Sequence, residues 1–512
     1  MAGPTANNSP NGEQMTLEQL YVALLIGGLV LLASIIATRA ADRVGLPSLL
    51  LFLLVGVAIG NEGLGLDFHD VQLASDLGTT ALAVILVEGG LTTRFANIRR
   101  LLAPAAVLAT VGVGVSMAVI AVAAHLLLGI SWQLAFLLGA IVSPTDAAAV
   151  FSILRVLPLP RRVAGLLEAE SGFNDAPAAI VVLMLSATPL MIDPVHAVGA
   201  VFYELVAGTA IGLLAGYFGA MMLRRAALPA SGLYPLATFA LAMVAFASAA
   251  SVHASGFIAA YLAGVVLANS GLPHRAATRS FAEGLGWLAQ IGLFVLLGLL
   301  VTPSHLSAEL IPALVIGAVL LLLSRPLSVV ASLIWFKVPW REQIFLSWAG
   351  LRGAVPIVLA TFPIVEGVAD SYRLLNIVFI LVVVFTVVQG PSLGLFAHWL
   401  RLIPRDTTRE VHVEAAPLDV LEADLLTMTV QPGSKLHNVS VLELRLPDPS
   451  VITLIIRNGD TFVPQPDTRI TVGDELLIVT TSKTRLAAER RLRAVSRRGK
   501  LAHWFDEFGD RE

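Results

Sequence analysis

The sequence contains no cysteine and very little charge. Without cysteine there is no disulfide framework, no thiolate metal site and no catalytic thiol. Charged residues make up 13% of the 512 and hydrophobic ones 56%, whereas ordinary soluble domains carry about 25% charged residues. That excludes a disordered or nucleic-acid-binding chain and an ordinary cytosolic enzyme. The net charge of −3 names no partner. A basic leader is also missing: the first 19 residues are polar, include Glu13 and Glu18, and lack Lys and Arg. A secretory signal needs such a leader ahead of its apolar core, so the run from Leu20 is expected to be a retained first span. Hydrolytic signatures are lacking too, with neither a Walker A sequence nor a G-x-S-x-G elbow.

The shortage of charge is uneven. Residues 401–512 hold 33 charged residues in 112 positions, whereas residues 1–400 hold only 36. The first part reads as a membrane domain and the second as soluble. Apolar stretches able to cross about 30 Å of hydrocarbon recur near 20–38, 46–61, 72–92, 102–127, 131–153, 163–187, 198–223, 233–251, 254–270, 284–302, 309–335, 342–365 and 374–400. They predict a membrane all-α fold of about thirteen transmembrane helices.

Arg39, Arg43, Arg94, Arg99, Arg100, Arg155, Arg161, Arg162, Arg224, Arg225, Arg275, Arg279, Lys337 and Arg341 follow the odd-numbered spans from the first to the eleventh. Only Arg373 lies in an alternate loop. Cytoplasmic loops are the basic ones, so the N-terminus is expected outside and the tail in the cytoplasm of a multi-pass cell-membrane protein.

The remaining charges fall where hydrocarbon should be. Arg325, Arg352, Glu88, Asp146, Glu168, Glu170 and Asp175 lie inside apolar segments, Glu168 and Glu170 nearer the cytoplasmic end. A charge at mid-span costs at least about 2.5–3.5 kcal/mol and marks a functional site by default. The plainer alternative is a buried Arg–carboxylate pair that knits helices together. Asp146 sits in Ser143-Pro144-Thr145-Asp146, where Pro144 removes an amide donor and should break the helix. Freed carbonyls, a hydroxyl and a carboxylate are hard ligands suited to a hard cation.

In the sixth span, Glu168, Ser171 and Asp175 share one helix face with Asn174 beside them. In the twelfth, Gly350-Leu351-Arg352-Gly353 and Pro356 make a second break around a cation. Two interrupted segments in corresponding halves point to a transporter site built from inverted repeats, here spans one to six against eight to thirteen. At the crossing, Asp146 would balance the positive helix ends and Arg352 the negative ones.

Thr145-Asp146, Glu170-Ser171-x-x-Asn174-Asp175 and Gly350-Leu351-Arg352-Gly353, in this order, resemble the monovalent cation:proton antiporters of the NhaP and sodium/proton-exchanger type. The resemblance spans residues 20–400. It implies a homodimer with an NhaA-like fold of inverted repeats and two crossing broken helices, and no cofactor. It further implies that Asp175 is the ion-binding carboxylate, with Asn174, Asp146, Thr145 and Ser171 completing a site for the cation. Glu170 would pair with a buried arginine, Arg325 by preference or else Arg352. The Asn-Asp pair resembles the electroneutral branch. Ala147 stands where many relatives have proline, a departure that leaves the break itself to Pro144.

A charged linker is expected over 401–422, followed by a small β-rich domain over 423–485 and a basic helix and tail over 486–512. Alternating and β-branched runs at 425–430, 450–457 and 469–481 predict strands, with Asn458-Gly459 as a hairpin signal and Val472-Gly473-Asp474 as a turn signal inside the last run. Gln431-Pro432-Gly433-Ser434, Leu442 to Pro447 and Val472-Gly473-Asp474-Glu475-Leu476 resemble the C-terminal module of TrkA and of regulators of potassium conductance (RCK-C). That implies an α+β cytoplasmic domain with a small-ligand or nucleotide effector, or a dimerising role, and tilts the substrate toward K+, then Na+. A cation channel is the reading of a different class. Thr110-Val111-Gly112-Val113-Gly114 superficially looks like a channel filter, but it lies mid-run in the fourth span and reads better as a small-residue packing face.

Overall fold

The computed structural model describes residues 17–44 and 48–402, without 67, 69, 94, 147–156, 158, 188–193 and 227, and residues 413–418 and 423–498, without 458 and 482. The apolar runs form helices because only a helix satisfies its own backbone groups in hydrocarbon. In order these are α1 (Leu17–Val44), α2 (Ser48–Ile59), α3 (Val71–Thr92), α4 (Leu102–Leu128) and α5 (Trp132–Val142). Next, α6 (Arg161–Phe173) and α7 (Asp175–Ser186) meet end to end at Asn174. Then come α8 (Pro194–Arg225), α9 (Leu233–Ser251), α10 (Gly256–Asn269), α11 (Arg275–Leu300) and α12 (Pro303–Phe336). Finally, α13 (Trp340–Trp348) and α14 (Ala354–Val365) flank an extended stretch, and α15 (Ser371–Trp399) closes the helical part.

Among the described residues, seven helices are long and apolar enough to cross a membrane, and further apolar helices such as α2, α5, α10 and α14 are shorter. The helices pack as two groups. One gathers α1, α2, α3, α8, α9, α10 and α11, and the other gathers α4, α5, α6, α7, α12, α13, α14 and α15. In the first group Gly56 of α2 and Gly298 of α11 let two backbones touch, their Cα atoms standing where a Cβ would otherwise sit. In the second, Leu137, Ile141, Leu166, Ile357 and Val378 are fully buried. α14 also packs on α3, which joins the groups. The outward faces of α1 and α8 carry exposed Leu29, Ile36, Phe202, Leu214 and Phe218, as lipid-facing surfaces do. Thr110–Gly114 lie within the continuous helix α4, which takes a π turn at Leu108–Gly112.

The tail holds an antiparallel sheet in the order β1-β2-β5-β3-β4. Its strands are β1 (Val413–Leu418), β2 (Ala423–Thr429), β3 (Val451–Arg457), β4 (Asp460–Phe462) and β5 (Glu475–Thr481). A one-turn helix, α16 (Val441–Leu444), starts at a capping box between Ser440 and Glu443, and α17 (Arg485–Arg498) ends the domain. Leu426 and Met428 of β2 and Leu476 and Ile478 of β5 alternate toward one face, and Ile452 and Ile455 of β3 join them across a register shift between Ile452 and Leu454. There they meet Ala488, Leu492 and Val495 of α17 in one core.

Two expectations change. The stretch read as linker contains β1, paired with β2 from Val413↔Met428 to Leu418↔Ala423. The basic helix, read as following the β-rich domain, packs into it, since its apolar residues at i, i+4 and i+7 complete the core of the domain. Within the run 469–481 the turn falls at Gly473, φ +89°, and leaves Glu475–Thr481 in β5. β3 pairs with β4 up to Arg457↔Asp460, with Gly459 at φ +92° between them; Asn458, the other half of the hairpin signal, lies outside the described residues.

Candidate functional site

The second helix group is interrupted in three places. α5 stops at Val142, and Ser143 to Asp146 leave the helix. Pro144 accounts for the stop, having no amide to continue the ladder. α13 stops at Trp348, and Ala349–Gly353 run without helical bonds before α14. The two non-helical stretches touch: the Asp146 amide donates to the Leu351 carbonyl at 3.0 Å.

The third interruption, at Asn174, was not foreseen, because the segment read as one continuous helix. Its signal in the sequence is Pro177, which cannot bond back to Phe173. The break is mild, since the Asn174 amide still reaches the Glu170 carbonyl at 2.9 Å.

These breaks bring most of the expected site residues together. Asn174 Nδ2 donates to Thr145 Oγ1 at 2.7 Å, and Thr145 Oγ1 lies 3.0 Å from Ser171 Oγ. Asp175 begins α7, where the positive helix end favours an anion. It is 5% exposed, and the charges of Asp146 and Asp175 act on each other. Asn174 Oδ1 and Asp175 Oδ1 are buried and have no hydrogen-bond partner among the described residues. Thr145, Ser171 and Asn174 are thus bonded together, with the carboxyls of Asp146 and Asp175 adjacent to them in the chain. All are hard oxygen donors that fit a small monovalent cation.

Both glycines of Gly350-Leu351-Arg352-Gly353 are explained by neighbours. A Cβ on Gly353 would collide with the Asp146 carboxylate, and one on Gly350 would lie 2.6 Å from Arg325 Nε. Arg325 grips Glu170 with both nitrogens, Nη1 to Oε1 at 2.5 Å and Nη2 to Oε2 at 2.9 Å. Of the two candidate arginines, Arg325 therefore makes the pair. Its Nη2 also points to the Leu346 carbonyl at 3.4 Å, near the C-terminal end of α13.

Arg352 is buried, with Nε and Nη1 lacking hydrogen-bond partners among the described residues. Two supports on α15 went unread in the sequence. Thr386 Oγ1, which donates to the Val382 carbonyl at 2.6 Å, also lies 3.4 Å from the Arg352 carbonyl, and Gln389 Nε2 donates to the Trp348 carbonyl at 3.1 Å. Two polar residues three apart on an apolar helix were the available signal.

Residues 29–399 match the family model described as sodium/hydrogen exchanger, transmembrane, and residues 425–493 match the TrkA-C domain. The chain is 37% identical to the K(+)/H(+) antiporter NhaP of Alkalimonas amylolytica over 90% of its own length and 82% of the relative's. It is 33% identical to the K(+)/H(+) antiporter NhaP2 of Shewanella baltica, covering 94% and 85%. Similarity to the Na(+)/H(+) antiporter NhaS2 of Synechocystis is 27%, covering 75% and 72%. The fold is that of the sodium proton antiporter MjNhaP1 of Methanocaldococcus jannaschii, with a TM-score of 0.64 at 22% identity over 74% of this chain and 99% of that one. The chain is therefore a multi-pass membrane protein carrying a TrkA-C domain, and it belongs to the sodium/hydrogen exchanger family, whose members are transporters and not enzymes.

Proposed function

We propose that this protein is a secondary active antiporter that exchanges a monovalent cation, K+ before Na+, for H+ across the cell membrane. The observation that carries this reading is the pair of buried oxygens of Asn174 and Asp175, unpartnered among the described residues, beside the hydroxyls of Thr145 and Ser171. A buried carboxyl is costly when ionised and bare. It becomes tolerable in a low dielectric when it holds a proton or a cation. The two compete for Asp175, so only a loaded site crosses the barrier, and the exchange is one for one and electroneutral. No cofactor takes part.

Asp146 and Arg352 balance the helix ends at the crossing, while Glu170 and Arg325 fix α6 against α12. Thirteen crossings, in inverted repeats of spans one to six and eight to thirteen, place the N-terminus outside and the TrkA-C domain in the cytoplasm. The protein acts as a homodimer, and its tail adjusts transport through a small-ligand or nucleotide effector. K+ is favoured because two of the K(+)/H(+) antiporters similar to this chain align over most of their lengths. Na+ is the second reading, supported by the relative named for sodium.

The test is proton movement in proteoliposomes on addition of K+, Na+ or Li+ at zero membrane voltage. The expected result is cation-driven proton release from wild-type vesicles, and none when Asp175 is replaced by Asn in a protein that still folds. Normal exchange in Asp175→Asn, or flux that follows voltage alone as in a channel, would overturn the reading.

A further inference from the structure

Glu168 takes no part in the site described above. It lies seven residues before Asp175, about 10 Å along the helical rise, on the same side of the segment. It lies midway along α6, between Asp175 and the helix start at Arg161 and Arg162. It is half-buried, and its Oε1 accepts a hydrogen bond from Thr93 Oγ1 at 2.8 Å. Thr93 terminates α3 and belongs to the other helix group. Its carbonyl accepts from Asn269 Nδ2 at 3.0 Å, and Asn269 Oδ1 accepts from the Phe95 amide at 3.0 Å.

Tyr261 of α10 is 1% exposed. Its hydroxyl is turned toward Thr93 and Glu168, yet it makes no hydrogen bond of normal geometry among the described residues. The Tyr261 ring fills the space over Gly172, where a Cβ would lie 2.5 Å from Cζ, and meets Phe173 edge-on at 5.5 Å. The charge of Arg279 also acts on Glu168, but Arg279 is half-exposed and bound to Glu283 at 3.0 Å.

Through Tyr261, and through Asn269 bonded to Thr93, the cluster borders a crevice. A cavity of about 720 Å³ is lined by Phe95, Asn269, Tyr261, Phe173 and Pro177, the last two standing on either side of Asn174 and Asp175 in the sequence. Most of its remaining wall is apolar, with Leu205, Ile258 and Val265 among the lining residues. Behind Tyr261 and Asn269, Glu168, Thr93 and Tyr261 offer a carboxylate, a hydroxyl and a phenol, all hard donors. A purely structural peg would need only an acceptor for Thr93. A carboxylate is expensive at membrane depth, and the buried Tyr261 phenol makes no hydrogen bond of normal geometry among the described residues.

We propose that Glu168, with Thr93 and Tyr261, forms a second holding site for the monovalent cation, on the cytoplasmic approach to Asp175, and loads the exchange site from that side. The assignment rests on the antiport reading. It adds a station that works on one face only, because the cluster lies with the basic loop residues Arg99, Arg100, Arg161, Arg162 and Arg275.

The experiment compares oriented vesicles in which K+ or Na+ is varied on the cytoplasmic face or on the outer face. Glu168→Gln is expected to raise the apparent KM on the cytoplasmic face at least fivefold and to change the outer-face value less than twofold. Glu168→Asp should recover most of the cytoplasmic KM, and Tyr261→Phe should raise it two- to threefold with the same sidedness. An equal change on both faces, or none, overturns the proposal. If Glu168→Gln fails to insert, the double variant Thr93→Val/Tyr261→Phe carries the same test, with the same one-sided result expected. Absence of exchange in wild-type vesicles would instead sink the antiport reading, so the two failures are distinguishable.

Discussion

Asp175 in the membrane domain and Asp474 in the tail are both buried aspartates, and their surroundings are opposite. Asp474 is fully buried and receives four hydrogen bonds at 2.8 Å, from Arg457 Nε and Nη2 and from the amide and hydroxyl of Thr471. Asp175 begins a helix with one oxygen unpartnered among the described residues. A buried carboxylate whose lone pairs are all used is a structural part, since any proton or cation would have to displace existing donors. One left short of donors invites a mobile partner. The distinction lies in the accounting of hydrogen bonds, and burial alone does not make it.

The same contrast extends to the arginines. Arg325 meets Glu170 with both ends of its fork, whereas Arg352 keeps Nε and Nη1 without hydrogen-bond partners among the described residues. Replacing Arg325 by Ala should have the largest effect on stability, because it leaves Glu170 buried and unpaired at a cost of about 3–5 kcal/mol. A collapse in yield or a large drop in the unfolding midpoint of the purified protein would register it. Glu170→Gln combined with Arg325→Met should recover most of that loss, since an apolar replacement for both ions is tolerated better than half a pair.

Asp474→Asn comes next, with an expected loss of about 1–3 kcal/mol. It should appear as faster proteolysis of the tail in the full chain while exchange continues. Arg457 is one-third exposed, so its charge is partly screened, and the Thr471 bonds should carry much of the loss. Asp175→Asn is the converse: the unfolding midpoint should stay level or rise slightly, because an ionisable group leaves a buried position. A strongly destabilised Asp175→Asn would erase the distinction between the two aspartates.

The pH response sharpens it further. Burial alone would push the Asp474 carboxyl up, but the Arg457 and Thr471 hydrogen bonds and the Arg457 charge together hold it below its usual value. The unfolded value is about 3.9. The stabilisation is therefore complete above that pH and is lost as the pH falls through the lower folded value. Protease resistance of the tail should decline below about pH 4, and Asp474→Asn should flatten that decline. The smallest effect is expected from removing residues 410–512, which should leave exchange intact and shift its cation or pH dependence only a few-fold. An unchanged profile would make the tail a bystander.

Much of this was readable in the sequence, for identifiable reasons. Pro144 and the paired glycines at 350 and 353 announce their breaks, because proline and glycine act locally on the backbone. The break at Asn174 was hidden, because Pro177 lies early in a helix, where proline is commonly tolerated. The choice between Arg325 and Arg352 depended on which helix faces Glu170, a tertiary matter that no spacing encodes. Strand β1 escaped notice among acidic and small residues, since its partner β2 supplies the reason for it to extend. The contact of Glu168 with Thr93 joins residues 75 apart and was equally out of reach.

The bond from the Asp146 amide to the Leu351 carbonyl has a consequence for how the crossing responds to change. It runs between main chains, so side-chain replacement at either position leaves both of its atoms in place. Only an imino acid at 146 would delete the donor. The two interrupted stretches are thus riveted at their intersection, and sequence drift in their side chains can retune the pocket without letting the pair come apart.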